Sequence, residues 1–103
     1  MLRITVMTEE RRTVVKVEGK LVGPWVGELR RCWTLAKDGR HNEPIHIDLT
    51  DVTFVDSLGK ELIREMCLKG AELEVLGPLM SSMVDEMRAD LRRNQFNRIQ
   101  EVS

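Results

Sequence analysis

The chain has few cysteines, and their spacing suggests neither a metal site nor a redox centre. Cys32 and Cys67 stand in separate segments of helical periodicity, and no CxxC or CxxxH pattern accompanies them. Zinc sites and thiol–disulfide exchange centres need such short spacings. We therefore expect two reduced, largely buried thiols in a cytoplasmic protein, with no metal and no cofactor.

Long apolar runs and an excess of charge of either sign are also missing. No stretch reaches membrane-spanning length, and the N-terminus passes straight into a strand pattern without a secretory signal. The expectation is a cytoplasmic protein with no membrane insertion. Sixteen basic and seventeen acidic residues give a formal net charge of -1. Such a balance provides no reason to expect nucleic acid or an anionic membrane as a partner.

The usual patterns of catalysis are missing as well. There is no Gly-rich phosphate loop of the P-loop or dinucleotide type. His46 and Asp48 share one side of a strand pattern, but a metal site would need a third ligand that the sequence does not indicate. His41 stands in a polar connection and is expected to be exposed. We predict that the chain is not an enzyme.

What is present is the composition of one soluble globular domain. Of the 103 residues, 42% are hydrophobic and 32% are charged, and this length suits a single domain spanning residues 1–103. Its core is expected at about residues 2–93. The helical pattern weakens in the tail, 94–103, where the sequence leaves open whether Phe96 and Ile99 dock back onto the body. Oligomeric state is also left open.

Hydrophobic periodicity predicts seven elements in the order β-β-α-β-α-β-α. Period-two alternation marks the strands, helical spacing marks the helices, and glycine or proline stands at most boundaries. The predicted elements are strands at 2–7 and 13–17 (ended by Gly19), a helix from about Trp25 that Asp38 and Gly39 stop, a strand that begins at Ile45 and runs into the turn, a helix that Asp56 and Ser57 open and Gly70 ends, a strand at 71–75 and a helix from Pro78 to about Arg93.

The predicted fold class is α/β, with two layers. The two β-α-β units require parallel strand pairs with right-handed crossovers, beside an N-terminal hairpin, so the sheet of about four strands is mixed. A sheet covered on both faces would read as continuously apolar. Most of these strands instead carry polar residues on one side, such as Thr5, Asp48 and Glu74. We therefore expect the helices on one face only.

The segment 45–59 is the most informative part of the chain. Ile45, Ile47 and Leu49 alternate with polar residues, which is typical of a strand with one face in the core. At its end, Asp56 and Ser57 can each accept a hydrogen bond from the free N–H groups of the following helix. That helix start also favours negative charge, including a bound or covalently attached phosphate.

The pattern IDL at 47–49, followed by FVDSLG at 54–59, resembles the signature of STAS domains, a family named for sulphate transporters and anti-sigma factor antagonists. Both halves occur at the right separation, and a looser resemblance extends over 2–87. It implies the same two-layer fold. It further implies a non-catalytic domain that binds a kinase-type anti-sigma factor or a related bacterial regulator. The implied contact residues are those of the turn, namely Asp56, Ser57, Leu58 and Gly59.

One position departs from the phosphorylated members of that family. Their acceptor is the serine immediately before the glycine, and here that position is Leu58, which has no hydroxyl. Ser57 stands one residue earlier and has three interpretations: a helix cap, a partner contact or, least favoured, a phosphate acceptor. Leu58 has two: a core position beside Leu62, or an exposed position beside Ser57. Our hypothesis is that the domain lacks the phosphorylation switch and either binds its partner constitutively or is controlled elsewhere.

Other functions stay open at this stage. Free-standing STAS proteins also serve as cytoplasmic subunits of transport assemblies, including lipid-trafficking ABC transporters, and some STAS domains bind small ligands. Met80, Met83 and Met87 fit either core filling or an adaptable contact surface. Trp25 fits either a rigid helix start or an interface anchor.

Overall fold

The computed structural model describes residues 1–39 and 43–102, with side chains described as far as Arg93. His41 and the side chains of Phe96 and Ile99 lie outside this description. The predicted order of elements is confirmed. The elements are β1 (Leu2–Glu9), β2 (Arg12–Leu21), α1 (Pro24–Gly39), β3 (Ile45–Val55), α2 (Ser57–Leu68), β4 (Glu72–Glu74) and α3 (Pro78–Val102).

The four strands form one mixed sheet in the order β1-β2-β3-β4. β1 and β2 are an antiparallel hairpin, whereas β2 with β3 and β3 with β4 are parallel pairs. Parallel neighbours cannot be joined by a tight turn, so α1 and α2 provide the two crossovers.

The core lies between one face of the sheet and the helices. Val15, Val17, Ile47 and Leu49 are at most 1% exposed on that face, and the polar residues that alternate with them lie on the other. The helices bury a matching set against this face: Val26, Leu29, Trp33, Leu62, Ile63, Met66, Val84 and Met87. Each side chain fully buried in this way stabilises the fold by about 1.5–3 kcal/mol. The prediction of helices on one face is confirmed.

The second strand is longer than predicted, because Gly19 does not end it. β2 continues to Leu21. Gly19 has a φ of +106°, and a Cβ at this position would lie 2.5 Å from the Met1 carbonyl oxygen. A glycine is therefore needed where the start of β1 closes against β2, inside the strand rather than at its end.

β3 extends from Ile45 to Val55 and leads directly into the turn, as predicted. Its pairing with β2 shifts register twice, between Lys16 and Glu18 and between Gly19 and Lys20. At each shift β3 has one residue more than β2, so the side chains that face the core change parity. Val52 is buried after the first shift, and Phe54 points to solvent after the second.

The last two elements also differ from prediction in length. β4 has three residues, and Ala71 and Val75 pack against the core outside the strand. α3 continues past Arg93 to Val102. Asparagine lowers helix propensity in that stretch, but no proline or glycine interrupts it.

Candidate functional site

The strand-to-helix turn at 56–59 begins with a carboxylate cap. Asp56 has extended backbone angles, and its Oδ1 accepts a hydrogen bond of 2.8 Å from the Gly59 N–H. This satisfies one of the free donors at the start of α2, and the negative charge suits the positive end of the helix. Asp56 is therefore the N-cap. Ser57 is the first residue of the helix, so of the two cap candidates Asp56 holds this position.

The same carboxylate also reaches a second part of the chain. Its Oδ2 accepts a hydrogen bond of 2.9 Å from the N–H of Gly23, 33 residues earlier. Gly23 has a φ of +53°, a left-handed conformation that glycine adopts without strain. The start of α2 is thus tied to the loop that precedes α1. The sequence did not reveal this contact, since nothing local links Gly23 to Asp56.

These hydrogen bonds keep the cap charged. The N–H of Gly23, followed by that of Gly59, stabilises the ionised carboxylate and lowers the pKa of Asp56. A carboxylate that accepts backbone N–H bonds resists protonation because its neutral form would lose them. The turn therefore presents a fixed negative charge at neutral pH.

Gly59 lets the helix start lie close to the sheet. It is buried, and a Cβ built there would lie 2.7 Å from Val55 Cγ1 and 2.8 Å from the Leu21 carbonyl oxygen. Any side chain would push α2 away from the ends of β2 and β3. The role of Gly59 is therefore to permit the close approach of α2 to the sheet, and it presents no side chain to a partner.

Ser57 and Leu58 project from this fixed turn into solvent. Ser57 is exposed, and Leu58 is 54% exposed. Of the two interpretations of Leu58, the exposed position beside Ser57 is the one observed. Leu62, its proposed core neighbour, is fully buried without it. More than half of Leu58 stays in contact with solvent, so this part of the side chain is available to another surface.

A partly apolar groove adjoins the turn between the end of β3 and the start of α3. Phe54 is 56% exposed and Leu79 is 87% exposed. We call this region the Phe54 groove; its lining residues are Thr53, Phe54, Val55, Lys60, Leu79, Met80, Ser82, Met83 and Glu86. Sequence analysis missed it because the register shifts in β3 decide which way Phe54 points.

The methionines and Trp25, for which the sequence left two interpretations open, differ in exposure. Met87 is buried in the core, whereas Met80 and Met83 are partly buried and line the Phe54 groove. Trp25 is 37% exposed at the start of α1. Of the remaining candidates, both cysteines are free thiols, and burial raises the pKa of Cys67, which lowers its reactivity.

Comparison with solved structures decides the fold. The unphosphorylated anti-sigma factor antagonist SpoIIAA is similar with a TM-score of 0.58 and 20% identity over 78% of this chain and 79% of that one. An anti-sigma factor antagonist STAS domain from Rhodobacter sphaeroides has a TM-score of 0.51 and 18% identity over 74% of this chain and 86% of that one. This chain has the STAS fold.

The same STAS fold is matched inside a larger protein. The crystal structure of Mglu is similar with a TM-score of 0.55 and 22% identity over 72% of this chain, which spans only 19% of that protein. A scan against protein-family models and a search of curated proteins each found no match.

The open face of this STAS fold holds His46 and Asp48 in separate interactions. The ring nitrogens of His46 lie 3.5 Å from Glu72 Oε2 and 3.6 Å from Glu74 Oε2. Asp48 Oδ1 accepts hydrogen bonds from the N–H and the hydroxyl of Thr50. Over residues 1–39 and 43–102, no three potential ligands converge as a metal site would require. No helix in those ranges combines the length and apolar character needed to cross a bilayer.

Proposed function

We propose that this chain is a non-catalytic, cytoplasmic interaction domain similar to the anti-sigma factor antagonists. Its partner is a kinase-type anti-sigma factor or a related bacterial regulator. One observation carries the proposal: Ser57 and Leu58 are exposed on a helix start that Asp56 and Gly59 hold rigidly in place. A preformed, rigid contact loses little entropy on binding.

The contact surface extends from the turn into the Phe54 groove. Phe54 precedes Asp56 by two residues and Leu58 follows it by two, so one strand–helix junction presents both apolar side chains. Lys60, on the first turn of α2, lines the groove. A turn alone is smaller than a standard interface, which buries about 800 Å² on each partner. The groove supplies additional apolar surface for such an interface.

In this proposal the partner is bound without a phosphorylation switch. The position before Gly59 is a leucine, which cannot accept phosphate. Ser57 has an exposed hydroxyl, but it stands one residue before the position of the acceptor serine in the phosphorylated members. Permanent apolar contact through Leu58 replaces control by added charge.

The exposure of Leu58 also supports a second function, as a cytoplasmic STAS subunit of a transport assembly. Such a subunit needs a lasting contact rather than a gated one, and an exposed leucine provides it. The two functions use the same surface and differ in partner. Neighbouring genes for sigma factors and kinases would favour the first, and genes for a permease and an ATPase would favour the second.

The surface is tested with two leucines of the same helix. Leu58 and Leu68 are 54% and 63% exposed, at opposite ends of α2. The partner is isolated by affinity capture and purified, and its affinity is measured by calorimetry. We expect Leu58→Glu to weaken binding at least about tenfold, because a desolvated apolar contact becomes a buried charge. Leu68→Glu is the matched control and leaves affinity unchanged. Equal effects of the two substitutions would contradict the proposed surface.

The missing switch is tested separately with the kinase-type regulator and ATP. The unmodified chain is expected to incorporate no phosphate, since the acceptor position is Leu58. Leu58→Ser restores a hydroxyl at that position and is expected to be phosphorylated, with loss of binding as two negative charges enter the contact. Phosphopeptide mass spectrometry locates the modified residue. Stoichiometric phosphate on Ser57 of the unmodified chain would disprove constitutive binding and leave the contact surface itself standing.

A further inference from the structure

The outer edge of β1 lacks several of the features that usually prevent pairing with another strand. β1 is the terminal strand of the sheet and has eight residues, whereas β4 at the other edge has three. Its pairing with β2 is continuous from Leu2 to Glu9. β1 has no proline, no lysine and no bulge, which are the usual devices that keep another strand from adding to an edge.

The pairing with β2 determines which backbone groups of β1 face outward. The Lys20 N–H donates to the Met1 carbonyl, so Met1 belongs to a hydrogen-bonded pair. Such pairs alternate along an antiparallel ladder. The odd-numbered residues of β1 therefore bond to β2. The N–H and C=O groups of Leu2, Ile4, Val6 and Thr8 point away from the sheet, toward the open edge.

We propose that two copies of this chain pair through antiparallel β1 strands, with Val6 opposite Val6 of the second copy. Outward-facing residues must lie opposite one another, so only registers that match even with even are allowed. In this register Ile4 lies opposite Thr8 of the second copy. The central Val6 pair and the two flanking pairs exchange two hydrogen bonds each, about six in all.

Charge selects this register over its allowed neighbours. The register centred on Val6 places Arg3 opposite Glu9 of the second copy, twice by symmetry. Shifting the centre to Thr5 sets Arg3 against Met7, and shifting it to Met7 sets Arg3 against Arg11. Opposite charges across a strand pair stabilise it, and like charges destabilise it. The edge is thus complementary to itself, which argues for a second copy as its occupant.

The side chains of the edge support the same pairing. Arg3 is exposed. Glu9 lies 2.9 Å from Arg12, and its side chain is still 52% exposed, so the Arg3 guanidinium of the second copy can reach it. Val6 is 46% exposed, because α1 does not cover this part of β1. Paired with its copy, each valine would cover the other on the helix side of the sheet.

The proposed dimer goes beyond the proposed function and does not depend on it. β3, which leads into the turn, is separated from the β1 edge by β2. Strand addition at β1 therefore leaves the turn at 56–59 uncovered in both copies. The dimer would display two contact surfaces, so a multivalent partner would bind it with higher avidity than it binds a single chain.

Charge reversal tests the reciprocal contact by sedimentation velocity over a range of concentrations. Arg3→Glu and Glu9→Arg each create two like-charge contacts, and we expect each to weaken dimerisation about tenfold or more. An equimolar mixture of the two variants is expected to restore dimers, because the carboxylate introduced at position 3 of one chain then meets the guanidinium introduced at position 9 of the other. Lys69→Glu, an equal charge change at the C-cap of α2, is the control and leaves dimerisation unchanged.

Val6→Pro tests the backbone part of the pairing. The Val6 N–H points away from β2, so proline at this edge position keeps the hairpin but removes both central hydrogen bonds. Circular dichroism verifies the fold, and we expect a folded monomer. The proposal is overturned if the unmodified chain stays monomeric up to about 1 mM, because a dimer with a higher dissociation constant would be too weak to be specific. It is equally overturned if the mixed charge variants fail to reassociate, or if Val6→Pro remains a dimer.

Discussion

At the scale of single residues, Asp56 does more than cap a helix. One oxygen accepts from Gly59 in its own turn and the other accepts from Gly23 in the loop before α1. A serine at this position has a single side-chain oxygen, so the two N–H groups could not each have an acceptor atom of their own. The carboxylate thus couples the position of the exposed turn to that of α1, and this rigidity is what makes Ser57 and Leu58 a preformed surface.

Gly59 has the second structural role at the turn, and its substitution tests the close approach of α2 to the sheet. In Gly59→Ala the added methyl meets the Leu21 carbonyl, which is backbone and cannot rotate away. We expect a loss of about 1–3 kcal/mol in the free energy of unfolding, the usual cost of overpacking. Urea denaturation measures it.

Gly27 provides the matched control, because it lies exposed within α1 and a Cβ there would meet nothing within 4 Å. Gly27→Ala is expected to raise the free energy of unfolding by up to about 1 kcal/mol, since alanine favours the helix. If both substitutions moved stability in the same direction, the close approach at Gly59 would not be what limits side-chain size there.

At the scale of elements, helix limits were predictable where a proline, a glycine or a capping residue marks them, and the end of α3 was not, because no such residue stands near Arg93. Pro24 opens α1 and Gly39 ends it, as expected, and apolar residues recur at helical spacing between them. The signature motif also located the start of α2 within one residue, at Ser57. That the turn contacts a partner remains a prediction, as does the presence or absence of phosphate on Ser57.

The strands were predictable from alternation only where their pairing is regular. Alternation in β3 identifies the core face from Ile45 to Leu49, and then two extra residues relative to β2 change the parity. A bulge depends on how the strand pairs with its neighbour, so no local pattern in β3 predicts it. For the same reason the Phe54 groove and the Gly23 contact could not be foreseen: both depend on residues distant in the chain.

At the scale of the whole molecule, the one-sided packing of helices leaves a polar sheet face in contact with solvent. Its residues stabilise the sheet through cross-strand pairs, such as Lys16 with Asp51 at 3.5 Å, rather than through burial. Exposed pairs of this kind contribute little individually. The stability of the fold therefore depends mainly on the core between sheet and helices, together with a few carboxylates that accept hydrogen bonds in the native state.

Two such carboxylates, Asp48 and Asp56, make the stability of the fold depend on pH in the acid range. Hydrogen bonds from Gly23 and Gly59 lower the pKa of Asp56. Desolvation alone would raise the pKa of Asp48, but hydrogen bonds from Thr50 outweigh it and lower that pKa as well. A group whose pKa is depressed in the native state stabilises it above the unfolded value of 3.8. This stabilisation is lost as the pH falls through the native pKa.

We therefore expect the contribution of these two carboxylates to the free energy of unfolding to stay nearly constant between about pH 7 and pH 5. Below about pH 5 it should fall, because the unfolded chain binds protons more readily than the native one. Asp56→Asn cannot ionise, and its amide nitrogen cannot accept the second N–H. It should lower the midpoint of thermal unfolding by several degrees near neutral pH and flatten the acid slope. Asp85→Asn, exposed on α3, is the control. An acid slope that is the same in both variants would show that the carboxylate in the turn does not couple protonation to folding.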